Sequence, residues 1–237
     1  TEKYADTWAS TMGSHPNYNT LRNMKGSGLD GIDEQISDMI AKGRGVEPPG
    51  WRPPAHGRRT FEERLTSGEE SFIDNFLRGL PGIKQAERTF RLGLAGLRFN
   101  LQLDNYTAMK AAGQTDDVIE EATTFLSAAT GRGSLGPLEK SAPIINQIAY
   151  SARLLMSRIQ VPMKIFLGSP AVRRLAARTV LSSVSYTVGV LAAAKAAGLP
   201  VETDPRSANF GKLRIGNTRI DVTGGSGTLV RFAARVG

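Results

Sequence analysis

The sequence predicts a mainly α-helical protein, a multi-helix domain with a small β-hairpin near the C-terminus and an extended N-terminal region. Three observations predict this class. Several stretches repeat apolar residues at intervals of three and four, as amphipathic helices do. Acidic and capping residues stand before these stretches, and glycine or proline stands after them. Two short alternating stretches flank Gly216-Asn217, which predicts a hairpin over about residues 212–222.

Residues 1–59 are expected to form a loosely structured N-terminal segment, followed by a helical domain over residues 60–237. Within the segment, "GIDEQISDMIAKG" favours a helix that stops at Gly43. The stretch "EPPGWRPPAHGRR" has four prolines and two glycines in thirteen residues, which excludes a helix interior and a central strand. It predicts an extended linker or a strap across a surface.

The next three helices are predicted from their ends and their apolar spacing. Residues 68–82 begin with acids and close with Gly-Leu-Pro-Gly. Residues 83–113 form a long helix, and Thr115 caps the helix that follows it. These last two helices are expected to pack as an antiparallel pair. Their predicted apolar faces are Phe90, Leu94, Leu97 and Leu101 on the first, and Val118, Ala122, Phe125 and Leu126 on the second.

Two further helices precede the hairpin. Residues 137–168 carry apolar residues at helical spacing, and Pro162 is expected to end or kink this helix. Residues 170–197 begin with Pro170 after Ser169, a favourable helix start. After the hairpin, "TGGSGTLVRFAARV" turns back into a helix.

Composition excludes several kinds of catalytic and metal site. The chain has no cysteine, which excludes disulfides, thiolate nucleophiles and cysteine-based zinc sites. Its two histidines, His15 and His56, lie near proline and glycine in predicted loops. Adjacent carboxylates occur mainly at helix starts, where capping explains them. The sequence therefore offers no catalytic residue, cofactor site or metal site, and we expect a protein that is not an enzyme.

The stretch "ATGRGSLGPLEK" places Gly131, Gly133 and Gly136 at the spacing of a dinucleotide-binding turn. Such a turn needs a preceding strand and an acid about twenty residues later. Here a predicted helix precedes the glycines, and the later segment reads "LLMSR". We therefore favour a helix C-terminus and a turn, in which Gly131 or Gly133 supplies the positive φ. "TGGSGT" is likewise interpreted as a structural turn.

The charge distribution indicates an anionic partner. The net charge is +8, and no acidic residue lies between Glu139 and Glu202, where eight basic residues lie. Membrane headgroups, nucleic acid or an acidic protein surface are partners of suitable charge. The residues predicted to contact it are Arg132, Arg153, Arg158, Arg173, Arg174 and Arg178.

Residues 179–194 form an uncharged run that follows three of these arginines. As a helix it would be roughly 24 Å long, short of the ~30 Å hydrocarbon core unless Lys195 snorkels and extends it to Val201. Ser182, Ser183, Ser185 and Thr187 lower its hydrophobicity. A helix buried in the protein's own core is favoured, with a conditional membrane segment and an oligomer interface as alternatives. The packing or membrane residues are Val184, Val188, Gly189 and Leu191.

Three blocks of the sequence resemble a conserved region of large polyvalent, or virion-associated, proteins of bacteriophages and prophages. The blocks are "FIDNFLRGLPGIKQAERTFRLGLAGLRFN", "ATGRGSLGPLEKSAPIINQIAYSARLLMSRIQVP" and "VETDPRSANFGKLRIGNTRIDVTGGSGTLVRFAA". The resemblance covers roughly residues 65–237. It implies packaging in the virion and delivery into the host with the DNA. The region has no assigned chemistry, and Ala152 departs from the proline of the similar sequences.

The resemblance and the charge pattern together predict a non-enzymatic bacteriophage virion protein, internal or ejected with the DNA. It would reside in the virion, and at the host cell envelope after delivery. Its expected partners are other virion proteins, copies of itself and an anionic membrane. The alternatives are a nucleic-acid-associated module packaged with phage DNA and a fragment of a larger polyvalent enzyme. The start at Thr1 is compatible with a piece of a longer chain.

Overall fold

The computed structural model describes residues 2–54, 83–134, 152–204 and 206–223. The chain divides into two compact units, Thr1–Arg173 and Arg174–Gly237. The described residues form helices α1 (Glu2–Gly13), α2 (Tyr18–Asn23), α3 (Asp30–Ala41), α4 (Ile83–Ala111), α5 (Asp116–Ala129), α6 (Ala152–Leu167) and α7 (Pro170–Ala196), and strands β1 (Lys212–Ile215) and β2 (Thr218–Asp221). The predicted mainly α-helical class with a C-terminal hairpin is confirmed.

Several predicted features lie outside the described residues. They are the helix over 68–82, the first part of the helix over 137–168, the final helix over 223–236, His56 and Gly136.

The hydrophobic core of the first unit is built largely by the N-terminal helices. Its buried residues come from α1, α2, α3, α4 and the segments between them: Ala9, Met12, Tyr18, Leu21, Leu29, Ile32, Ile36, Met39, Trp51, Leu92, Ala95 and Phe99. The expectation of a loosely structured, extended N-terminal region is therefore corrected for residues 2–54. These short helices are stable because each lays one apolar face on a shared core, which outweighs the weak stability of a short isolated helix.

A buried carboxylate, Asp33 of α3, joins α2 to the proline-rich segment. One oxygen, Oδ1, accepts hydrogen bonds from Tyr18 Oη at 3.1 Å, Arg22 Nη1 at 3.0 Å and Trp51 Nε1 at 2.8 Å. Arg22 also donates to the carbonyl of Arg52 at 2.6 Å. The described residues 47–54 thus lie as a strap across the helices, with Trp51 as the side chain that anchors it. Burial raises the pKa of Asp33, although its three donors oppose the shift.

Helices α4 and α5 form the predicted antiparallel pair. Polar contacts join them along their length: Lys110 to Asp116 near the connecting turn, Gln102 to Ser127, and Arg98 to Thr130 at the far end. On α5 the predicted residues Ala122, Phe125 and Leu126 are buried. Thr115 occupies the N-cap position, but its side chain makes no capping hydrogen bond.

The predicted apolar face of α4 is wrong. Phe90, Leu97 and Leu101 are exposed, and the buried side carries apolar residues together with Arg98 and Gln102. Gln102 Nε2 donates to the carbonyl of Ser27 at 2.7 Å, and Arg98 is satisfied by Thr130. One side of a helix can be buried even where it carries polar groups, provided that these groups have hydrogen-bond partners. Counting apolar residues therefore does not identify the buried side of α4.

The last described elements follow their predicted limits, with one correction. Helix α6 continues through Pro162 to Leu167, which excludes an end at the proline; the alternative, a kink, stays a prediction. A proline removes the hydrogen bond of its own nitrogen and its ring crowds the carbonyl four residues earlier, but a helix can continue on both sides of it with a bend. Helix α7 begins at Pro170 as predicted. The hairpin pairs Lys212 with Asp221 and turns at Gly216, whose φ is +57°.

We expect Asp33→Ala to lower the free energy of unfolding by roughly 3–5 kcal/mol, since it leaves buried donors and the Arg22 charge without their acceptor. Asp33→Asn keeps an oxygen acceptor and should cost much less. Urea unfolding of the two variants measures this difference. Equal losses in both would contradict the assigned role of Asp33 Oδ1.

The difference in stability between the wild type and Asp33→Asn should also depend on pH. Because burial raises the pKa of Asp33 in the folded state, the unfolded chain ionises first as the pH rises above the ordinary value of 3.8. The stability of the wild type relative to Asp33→Asn should therefore fall as the pH rises from this value through the raised pKa, and be constant above it. A relative stability that rises over this range would contradict the raised pKa.

Candidate functional site

The glycine-rich stretch after α5 is a helix cap that docks onto α6. Gly131 has a φ of +93°, and it supplies the positive φ as predicted. The amides of Gly131 and Arg132 donate to the carbonyls of Ala128 and Ser127, both at 2.9 Å, which closes the helix in a Schellman motif.

The next two amides bind α6. Gly133 donates to the carbonyl of Arg153 at 3.2 Å, and Ser134 donates to Gln160 Oε1 at 3.0 Å. A Cβ atom at Gly133 would lie 2.6 Å from the Arg153 carbonyl oxygen and still closer to the Ser157 nitrogen. All four amides from 131 to 134 therefore bind the protein itself, which leaves none of them for a phosphate. Gly133 allows the close approach of the two backbones.

Arg132 forms an internal ion pair. Its Nη1 and Nη2 atoms contact the two carboxylate oxygens of Asp30, the second at 3.3 Å, and both side chains are largely buried. This pair joins the end of α5 to the start of α3. We therefore correct the prediction that Arg132 serves an outside partner. The sequence does not indicate this pairing because the two residues are 102 positions apart.

The basic residues of α6 are turned toward the protein. Arg153 and Arg158 are half-buried, and the carbonyl of Arg153 receives Gly133. Lys164 Nζ lies 2.7 Å from Glu121 Oε1 of α5. The other oxygen of Glu121 accepts the amide of Ser169, the residue before α7, at 3.1 Å. Burial alone would raise the pKa of Glu121, but these hydrogen bonds outweigh it and lower the pKa.

The basic residues of α7 lie on the surface. Arg173 is exposed, and its Nε donates to the carbonyl of Ile165 at 2.9 Å. Arg174 and Arg178 are exposed as well, and neither has a hydrogen-bond or ion-pair partner among the described residues. Of the six predicted contacts for an anion, the structure thus presents these three together at the start of one helix.

The apolar part of α7 is also exposed. Leu181, Tyr186 and Val188 are 67%, 70% and 59% exposed, and Val184 and Gly189 are exposed too. Leu191 is half-buried. In the most apolar 18-residue window of this helix, with mean hydropathy 1.3, only 6% is buried.

The favoured prediction of a helix buried in the protein's own core is therefore wrong. Apolar side chains lie on more than one side of α7, since Tyr186 stands far around the helix from Leu181 and Val188. One neighbouring element cannot cover such a helix. Among the described helices, α7 alone is long and apolar enough to cross a membrane.

A groove with a volume of about 680 Å³ lies on the first unit, between α1 and residues 44–49. Its main cation, Arg44, is paired with Glu2, Asp6 and Asp38. Its hydroxyls donate within α1 or to a neighbouring sulfur atom, as Ser10 Oγ does to Met39 Sδ at 3.4 Å. None of them is placed for activation by a base.

No grouping of three or more His, Asp or Glu side chains suited to a metal ion occurs within residues 2–54, 83–134, 152–204 and 206–223. No family model, curated protein or solved structure matches the chain. The candidate site is therefore defined by its own residues: the arginines at the start of α7 and the apolar side chains that follow them.

The docking of the glycine cap onto α6 is tested by Gly133→Ala. The added Cβ would meet backbone atoms of α6, and we expect a loss of roughly 1–3 kcal/mol in the free energy of unfolding. Gly93→Ala is the matched control, because no described atom lies within 4 Å of its Cβ position in α4. It should gain about 0.5–1 kcal/mol. Urea unfolding checks both, and an unchanged stability in Gly133→Ala would contradict the close contact.

Proposed function

We propose that this chain is a non-enzymatic bacteriophage virion protein, carried inside the particle or ejected with the DNA. It works by docking helix α7 onto an anionic, apolar surface, and the host membrane is the surface that fits best. Other virion proteins cover α7 within the particle.

The observation that carries this proposal is the exposure of α7. A helix that is apolar on all sides is ordinarily covered by protein or by lipid. Here only 6% of the most apolar 18-residue window is buried. Burial of this surface against a partner is favourable in proportion to the apolar area removed from water.

The charge at the start of α7 supports an anionic partner. Arg174 and Arg178 have no partner among the described residues, and Arg173 binds only a backbone carbonyl. Guanidinium groups pair with phosphate oxygens in bidentate fashion, which suits lipid headgroups. The resemblance of three sequence blocks to polyvalent virion proteins supplies the biological setting.

The test is flotation of the full chain with vesicles that contain phosphatidylglycerol. The triple variant Arg173→Ala/Arg174→Ala/Arg178→Ala should bind roughly a hundredfold more weakly, since each basic residue near an anionic surface contributes about 1 kcal/mol. The matched control is Lys3→Ala/Lys25→Ala/Arg52→Ala, which lowers the net charge equally at exposed positions of the first unit. If both triple variants lose binding to the same extent, the attraction depends on net charge and not on α7.

The nucleic-acid module is the second candidate, and the same exposed arginines favour it. It predicts that the chain binds DNA with an affinity that falls steeply with salt, by a log–log slope of about −0.9 for each phosphate contacted. Gel-shift titrations at several salt concentrations measure this slope. We expect a shallow slope, because only three exposed arginines are clustered on α7; a slope steeper than three contacts allow would favour the nucleic-acid module over the membrane.

A further inference from the structure

We propose that α7 crosses the lipid bilayer, with Arg174 and Arg178 at one membrane surface and Lys195 at the other. This inference rests on the proposed function, because it takes a membrane as the docking surface. It goes further in stating that the helix spans the hydrocarbon core and does not lie on the membrane surface.

The charges at the two ends of α7 argue against pairing with a second copy of the same helix. In a parallel pair, Arg174 and Arg178 would face their own counterparts. In an antiparallel pair they would face Lys195. No acidic residue lies between Glu139 and Glu202 to relieve either arrangement. Like charges placed opposite one another disfavour both pairings.

A bilayer complements this charge pattern, and unlike a protein partner it needs no matching sequence to do so. It offers phosphate groups at both surfaces and hydrocarbon between them. The span from Arg178 to Lys195 is about 26 Å at 1.5 Å per residue. Their long side chains can extend outward to the headgroups, which brings the helix to the ~30 Å thickness of the hydrocarbon core.

The distribution of apolar residues argues for crossing and against lying in the surface plane. A helix that lies in the interface has one apolar side and one charged side. Residues 179–194 carry no charge on any side. Val188 and Tyr186 stand far apart around the helix, yet both are well exposed, at 59% and 70%. Both sides need an apolar environment, and the bilayer interior supplies it all round.

The test places one charge on each side of α7 in the full chain. Val188→Asp and Tyr186→Asp change exposed side chains, so the fold should remain, as circular dichroism checks. With vesicles of phosphatidylcholine and phosphatidylglycerol, the measured quantity is the fraction that resists extraction at alkaline pH. For a helix that crosses, both variants should lose about a hundredfold, because a charge near the bilayer centre is unfavourable on any side.

The alternatives give different results. Loss in only one of the two variants would overturn the crossing in favour of a helix lying in the surface plane, and the proposed function would stand. Loss in neither variant would overturn it in favour of binding through the arginines alone. If the wild type does not float with vesicles at all, the proposed function itself is wrong in naming a membrane as the surface that α7 binds.

Because the chain has no cysteine, single-cysteine probes give a second readout of the same question. A fluorophore at Val184→Cys, Tyr186→Cys or Val188→Cys should be quenched more by deep lipid quenchers than by shallow ones, whichever side it occupies. A probe at Ala177→Cys should show the reverse order, and one at Thr11→Cys on α1 should respond to neither. Shallow quenching at Tyr186 alone would contradict the crossing.

Discussion

Residues 140–201 contain no acidic side chain, so no cation within them can be neutralised from inside the segment. Every favourable ionic contact has to come from elsewhere. Glu121 of α5 supplies one, since its carboxylate holds Lys164 of α6 and the amide of Ser169 that precedes α7. The start of α6 is attached differently, through backbone contact at Gly133. No described residue neutralises Arg174 and Arg178, so these two side chains are open to an external anion.

The first unit shows the opposite behaviour, because its main charges are paired within it. Asp33 gathers three donors, Arg44 binds three carboxylates, and Arg132 binds Asp30 across a long stretch of sequence. Partly buried pairs of this kind hold elements in place but leave little charge for a partner. Under the proposed function, the described part of the first unit is the stable body and α7 is the element that binds.

Sequence patterns predicted the limits of the helices better than their packing. Proline at position 170 and the positive φ of Gly131 act locally, so the neighbouring residues reveal them. The buried side of α4 was missed because Arg98 and Gln102 are buried, and their partners, Thr130 and Ser27, lie far away in sequence. The exposure of α7 could not be predicted either. An apolar helix is buried only if other elements offer apolar faces to cover it, and a single segment does not contain that information.

Under the proposed function, α7 meets both water and lipid, and its moderate hydropathy is compatible with both. Its uncharged run includes Ser182, Ser183, Ser185 and Thr187. Hydroxyls on a helix can bind water, or donate to the carbonyl four residues earlier, as Thr179 does to Leu175 at 2.9 Å. The second choice satisfies each hydroxyl inside hydrocarbon without a partner from another helix. A helix of leucine alone would insert into a membrane more strongly but would aggregate more readily in water. Under the proposed function, these hydroxyls let the same helix remain folded in the particle and then enter a membrane.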